Sequence, residues 1–221
     1  MSQPALDAAV EAARAAGQVA MKYYRGGFEV MLKPDDTPVT QADREAERAI
    51  VELLGRAFPD YGVLGEEFGG AGRRDICWIV DPIDGTKNFV RRIPVWATLI
   101  ALEEHGEITV GVIHNPVTGD LFSARRGGGA FLNGERIHVS DATERQRGFG
   151  DYLGYALVAE GKADLYAELD LKPWDLAPCK LIVEEAGGRF TDWDGRPTIY
   201  TGTALATNGR LHDAALERLR P

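Results

Sequence analysis

Apolar residues recur at helical spacing from Ala5 to about Tyr24 (Leu6, Ala9, Val10, Ala13, Val19, Ala20), and Gly26-Gly27 follows as a stop. An extended piece, 28–33, and a turn, 34–38, separate this predicted helix from a second one over 41–57. That one opens after Thr40 and lines Ala42, Ala46, Ile50, Leu53 and Leu54 along one face. The period then shortens. Apolar runs at 62–64, 76–80, 96–103, 108–115, 121–124 and 130–132 read as strands, with turns at 104–107 and at Asn133-Gly134. Helices are expected again at 151–159, 174–186 and 208–219, and strands at 163–168 and 204–207. Pro178 is placed in the first turn of its helix, where an amide has no helical partner. Helices, a strand meander and then mixed elements make an α+β or layered α/β protein.

Composition narrows the chemistry. The 221 residues are 44% apolar and 27% charged, as in folded proteins, and carry a formal charge of −9. A field of that sign repels nucleic acid and anionic membranes, so neither is expected as a partner. An anionic substrate would need cations to invert the local potential, and metal ions are the obvious source. Cys77 and Cys179 lie in apolar runs without ligand spacing and read as buried thiols of a reducing compartment. With no signal-peptide pattern and no long apolar run, a cytoplasmic location is expected.

The densest chemical signal is Asp81-Pro82-Ile83-Asp84-Gly85-Thr86, directly after the buried run 76–80. Pro82 sets one torsion and Gly85 relaxes another, so two carboxylates can converge with turn carbonyls beside them. Carboxylate plus carbonyl oxygen is ligand chemistry for a hard divalent cation such as magnesium. Gly85 and Thr86 would open a helix or turn whose amides face an anion. A solvated Asp-Pro-Gly turn is the alternative. Three other acidic places have equally plain readings. Glu66-Glu67 sits at a strand end, where solvated loop acids are common; Asp175 could be a helix cap; Asp43 could compensate a helix dipole. Their combination is what informs.

Gly65-Glu66-Glu67, Trp78 to Phe89, Trp174-Asp175 and Val183-Glu184-Glu185-Ala186-Gly187-Gly188 together resemble the inositol monophosphatase family, lithium-sensitive and magnesium-dependent phosphomonoesterases. Within it the chain is most similar to histidinol-phosphate phosphatases, on 37–44, 89–96 and Arg147-Gly148-Phe149-Gly150-Asp151-Tyr152. The resemblance implies a layered αβαβα sandwich with an N-terminal half to about residue 140, a shortened C-terminal half over 141–221, and the site between them. It implies two or three Mg²⁺ ions, with Mn²⁺ as a substitute. Glu66, Asp81 and the Ile83 carbonyl would hold one ion, and Asp81, Asp84 and Asp175 a second; a third would lean on Glu66. Thr86, paired with Asp43, would orient the attacking water, and the Gly85 and Thr86 amides would hold phosphate oxygens. Lys33 is a candidate substrate contact ahead of its turn. No Cys, Ser or His nucleophile motif is present, so no phosphoenzyme is expected. His105, His114, His138 and His212 fall in turns or at strand ends and receive no role.

Asp151 and Glu168 are the candidates for selecting the substrate. Two acids suit a cationic amino alcohol such as L-histidinol, whose phosphate ester belongs to histidine biosynthesis; a neutral polyol such as inositol also donates to carboxylates. Asp151 as a plain helix cap is an equal reading, and Arg91-Arg92 could face phosphate or solvent. The expected activity is hydrolysis of L-histidinol phosphate, with inositol-1-monophosphatase or broad small-molecule phosphatase activity as the enzyme alternative. A metal- and phosphate-binding protein without turnover is the alternative of another class. A homodimer is implied by the resemblance. Family members carry a further strand and helix where this chain has only residues 141–146, so the second sheet is expected to lose a strand.

Overall fold

The computed structural model describes residues 3–26, 30–32, 38–141 and 150–219, with 30–32 and 38–40 described through their backbone. Lys33, residues 34–37 of the expected 34–38 turn, and residues 142–149, including Arg147-Gly148-Phe149, lie outside the described residues.

Small residues let the first two helices pack closely. In α1 (Gln3–Arg25) the buried stripe is Ala5, Ala9, Ala12, Ala13, Ala16, Gly17 and Ala20, and it meets Ala46, Ile50 and Leu54 of α2 (Gln41–Ala57). Ahead of α2, β1 (Val30–Leu32) and β2 (Pro38–Thr40) pair antiparallel. Both helices cover one face of an eight-stranded sheet through Trp78, Val80, Ile100, Leu102, Val110 and Val112.

That sheet contains β3 (Gly62–Gly65), β4 (Gly69–Ala71), β5 (Ile76–Asp84), β6 (Ala97–Glu104), β7 (Glu107–Asn115), β8 (Asp120–Arg125), β9 (Gly129–Leu132) and β10 (Glu135–Ile137). Its order is β10-β9-β8-β7-β6-β5-β3-β4, parallel only where β3 meets β5. His105 and Gly106, at φ 54° and 85°, make the two-residue turn between β6 and β7, and Asn133-Gly134 repeats it at φ 50° and 87°. Turns with two positive φ values match the twist of antiparallel strands, which is why these dipeptides mark hairpins.

Between β5 and the next strand lies α3 (Thr86–Val90). On the other sheet face sits α5 (Pro173–Glu185), with α4 (Tyr152–Ala159) beside it. Gly111 of β7 admits α5 at close range: a Cβ there would lie 3.0 Å from the Pro178 carbonyl oxygen. A three-stranded antiparallel sheet follows, of β11 (Leu165–Leu169), β12 (Arg189–Thr191) and β13 (Thr203–Thr207) in the order β11-β13-β12. The last helix, α6 (His212–Leu219), packs on β13. The layers are thus αβαβα. Cys77 and Cys179 are buried free thiols.

Several elements differ from the sequence reading. β5 runs on through Pro82 to Asp84 instead of stopping at Val80, with its register broken between Asp81 and Asp84, where a ladder can spare the amide that proline lacks. Pro178 is inside α5, beyond the first turn whether the helix is counted from Trp174 or from its observed start at Pro173, so the first-turn placement does not hold. β4 and β12 were not expected; three residues each carry no readable alternation. α6 starts at His212 instead of Asn208, because the Asn208 side chain accepts from the Arg210 and Leu211 amides (3.1 and 3.3 Å) and holds a turn.

His212 is also not the unoccupied turn residue the sequence suggested. It is fully buried, with Nε2 2.8 Å from Thr191 Oγ1 and Nδ1 3.0 Å from Thr207 Oγ1. Thr191 Oγ1 donates to the Asp192 carbonyl at 2.7 Å, so it accepts from Nε2–H, and the ring is neutral. Burial, then Arg189, lowers its pKa to about 4. A folded-state pKa below the unfolded value of about 6.5 gives stability that is complete above pH 6.5 and is lost as pH falls from there toward 4, up to about 3 kcal/mol. Denaturant titrations at pH 7 and pH 4.5 are expected to show this loss in the wild type relative to His212→Gln, whose amide does not titrate. Parallel pH profiles for the two proteins would refute it.

Candidate active site

The chain's acids gather where β5 ends. Asp81 is 2% and Asp84 8% exposed; with Asp175, each offers a carboxylate oxygen within 4.8 Å of the others. Asp81 Oδ1 accepts from the Ile83 amide at 2.9 Å, so the chain curls around its own carboxylate. Asp84 Oδ2 accepts from the Tyr152 amide at 3.1 Å, tying the turn to α4. Asp175 is the third residue of α5, and its Oδ2 accepts from the Lys172 amide at 2.7 Å. Asp175 is therefore not the N-cap, which is Lys172, but reaches back to the cap amide from the first turn while belonging to the cluster: one carboxylate serves both.

Electrostatics in this cluster run one way. Burial, then Glu66, Asp84, Asp175 and Asp43, push the Asp81 carboxyl well above the usual range. Burial, then Asp175 and Asp151, do the same to Asp84. Burial lifts Asp175 to about 6, with Glu66 adding repulsion and the Lys172 amide opposing it. Among the described residues no ion pair reaches Asp81, Asp84 or Asp175. Three crowded carboxylates that no ion pair among the described residues reaches, all hard oxygen donors, fit a divalent cation.

Around this centre the structure brings together most of the other candidates. The Thr86 hydroxyl lies 3.4 Å from Asp43 Oδ1 and 3.1 Å from the Ile83 carbonyl oxygen, so its single proton has two acceptors. Asp43, 1% exposed, is in the first turn of α2. Gly85 stands before α3 at φ 84°, ψ 37°, and a Cβ there would lie 3.0 Å from the Val95 carbonyl oxygen; both conformation and space require glycine. Glu66 follows β3, with its amide 3.3 Å from the Val80 carbonyl.

Asp151 occupies the N-cap position of α4, but not as a plain cap. Its side chain makes no cap bond, and its backbone stands at φ 55°, ψ −158°, a region that costs a non-glycine residue about 1–3 kcal/mol. The Asn88 side chain donates to Asp151 Oδ2 at 3.0 Å and to the Val95 carbonyl at 2.9 Å, and the Tyr152 amide is thereby aimed at Asp84. Glu168 accepts from the Tyr155 hydroxyl at 3.3 Å and is also supported by Tyr166 and the Asp151 amide. Burial raises the pKa of both Asp151 and Glu168. Together they line a cavity of about 210 Å³ with Asp84, Asp175, Asp170 and Tyr155. Larger cavities elsewhere share no lining residue with it. Arg91 and Arg92 are exposed; Arg92 donates to the Tyr23 carbonyl at 3.1 Å and covers the Tyr24 ring.

The sequence reading gave no role to Asn88, Tyr155 or Glu47. Asn88 lies inside the quoted motif. Glu47 is one helical turn after Asp43, a spacing that places both on one face of α2. It is fully buried, its carboxyl raised to about 7 mainly by burial, and its oxygens accept from the Glu67 and Phe68 amides at 2.8 and 3.0 Å.

Known proteins resemble this chain in sequence and fold. The chain is 45% identical to a histidinol-phosphatase of Mycobacterium tuberculosis over 232 aligned positions, covering 87% of this chain and 88% of the relative. It is 36% identical to the Nus factor SuhB of Xylella fastidiosa, covering 88% and 84%. Among solved structures, the extragenic suppressor protein suhB from Bartonella henselae superimposes with a TM-score of 0.91 at 34% identity, over 98% of each chain. An alignment of 232 positions exceeds the 221 residues present, so the relative carries residues that this chain lacks. The profile of the inositol monophosphatase family matches in two stretches, 1–150 and 143–221, which meet where the sequence is short. On that match and on these identities, the chain belongs to the inositol monophosphatase family.

Proposed function

We propose that the chain is a magnesium-dependent phosphomonoesterase that hydrolyses L-histidinol phosphate to L-histidinol and phosphate. One observation carries the choice of substrate. The cavity next to Asp84 and Asp175 presents Asp151, Glu168 and Asp170, and among the described residues no basic side chain lines it. The protonated amine of histidinol, and an imidazole N–H, can donate to those carboxylates. The kinship with histidinol-phosphatase supports the same reading.

In this reading Glu66, Asp81, Asp84, Asp175 and the Ile83 carbonyl would hold the metal. Bound Mg²⁺ supplies positive charge for the phosphoryl oxygens and lowers the pKa of water. Asp43 accepts from the Thr86 hydroxyl, which leaves the threonine lone pairs to orient a water for in-line attack. The Gly85 and Thr86 amides take phosphate oxygens. Asn88 holds Asp151 in its strained backbone, so that one contact positions the proposed substrate-binding carboxylate of Asp151 and the Asp84-binding amide together. The Thr86–Asp43 pair favours turnover over mere binding, because a binding protein has no use for a group that orients water. A cytoplasmic homodimer is part of the proposal, and light scattering would read its mass.

A charge-assisted hydrogen bond contributes about 1.5–3 kcal/mol, so kcat/KM with Mg²⁺ is expected to favour histidinol phosphate over inositol 1-phosphate by roughly 10- to 100-fold. A ratio favouring inositol would move the assignment to the inositol monophosphatases. Tight binding of either ester without phosphate release would move it to a non-catalytic protein.

A further inference from the structure

We propose that Glu47 is a positioning residue: its buried carboxylate holds the turn that presents Glu66 to the metal. This rests on the reading above in which Glu66 is a ligand.

The Glu66 backbone is clamped from both sides. Before it, Gly65 pairs with Val80 across β3 and β5, and the Glu66 amide lies 3.3 Å from the Val80 carbonyl oxygen. After it, the Glu67 and Phe68 amides both point at Glu47, the first to Oε2 at 2.8 Å and the second to Oε1 at 3.0 Å. Two successive amides on one carboxylate define the orientation of the turn, since each oxygen takes its own donor. Carboxyl oxygens are acceptors, and here each of the two is aimed at one of these amides.

The approach is close enough to dictate the neighbouring residue. A Cβ on Gly65 would lie 2.0 Å from Glu47 Oε1, so any side chain at 65 expels the carboxylate from its two amides. Glu47 is fully buried in α2, one turn beyond Asp43. A single rigid helix therefore sets both the partner of the Thr86 hydroxyl and the backbone that carries Glu66. Residues that orient metal ligands typically contribute 10- to 100-fold to metal affinity.

The test measures metal binding without substrate, by calorimetric titration of the metal-free protein with Mg²⁺ and with Mn²⁺. Glu47→Gln keeps the size of the side chain but turns an NH₂ toward one of the two amides. The expected result is a dissociation constant at least about tenfold weaker, with circular dichroism and the metal-free melting temperature close to wild type. Gly65→Ala is expected to weaken binding in the same direction and decides the matter if Glu47→Gln does not fold. Glu66→Gln is the reference. If it weakens binding while a folded Glu47→Gln or Gly65→Ala stays within twofold of wild type, the positioning role is overturned and the metal site stands. If Glu66→Gln itself leaves binding unchanged, Glu66 is no ligand, and both the role given to it above and this one fall. A purely architectural Glu47 would lower the melting temperature and leave the metal affinity of the folded protein alone.

Discussion

Asp84→Asn is expected to lower phosphate release by about 10³-fold or more while the metal-free protein melts at the same temperature as wild type or higher. The two halves of this result have one cause. Asp84 stands with Asp81 and Asp175 in a buried cluster whose carboxylates repel each other, and burial and Asp175 both disfavour its charge. Removing that charge relieves the empty cluster. The asparagine oxygen still accepts from the Tyr152 amide, so the tie between β5 and α4 persists. The loss appears only in chemistry, where a charged ligand contributes several kcal/mol to stabilising the transition state; about 4 kcal/mol corresponds to the stated factor. Initial rates over a range of Mg²⁺ concentrations, with melting curves recorded without metal, read both effects. Activity within tenfold of wild type at saturating Mg²⁺ would remove Asp84 from the metal site. A large fall in melting temperature would show instead that the carboxylate serves the fold.

The sequence exposed this cluster because its chemistry is nearly contiguous. Asp81, Ile83, Asp84, Gly85 and Thr86 occupy one strand end, so spacing alone brings their oxygens together. Asp175 was legible only as one more acid at an element end; its place beside Asp81 depends on α5 crossing the sheet, which Gly111 permits. The helical faces of α1 and α2 and the two positive-φ hairpins were readable for the same local reason: periodicity and turn chemistry are properties of neighbours. What escaped has distant partners. The ligands of the Glu47 carboxylate are backbone amides some 20 residues on, and amides leave no mark in a sequence. Asp151 looked like a helix cap because it precedes one, yet Asn88 and the Tyr152–Asp84 bond hold it in a conformation that local preference opposes. His212 looked idle because its two threonine partners come from separate strands of the small sheet.

Thr86→Ala is expected to reduce kcat by about 10²- to 10⁴-fold without weakening Mg²⁺ binding, the reverse of the pattern for a ligand. Thr86 Oγ1 has one proton and two acceptors, Asp43 Oδ1 at 3.4 Å and the Ile83 carbonyl at 3.1 Å. A carboxylate oxygen is the stronger acceptor of the two, and when Asp43 takes the proton the hydroxyl lone pairs point away from the carboxylate toward water. Alanine removes the hydroxyl but none of the proposed ligands. Calorimetry should therefore return a wild-type metal affinity, and KM should change far less than kcat because water orientation matters chiefly in the transition state. Thr86→Ser restores the hydroxyl and is expected to recover most of the rate, which separates loss of the oxygen from disturbance of α3. Asp43→Asn should fall in the same class as Thr86→Ala, and the double variant should be little worse than either single one, since groups that act as a unit are lost together. Independent, multiplicative losses would mean that Asp43 and Thr86 act on different steps, and an unaltered kcat in Thr86→Ala would leave the attacking water to be oriented by the acidic cluster alone.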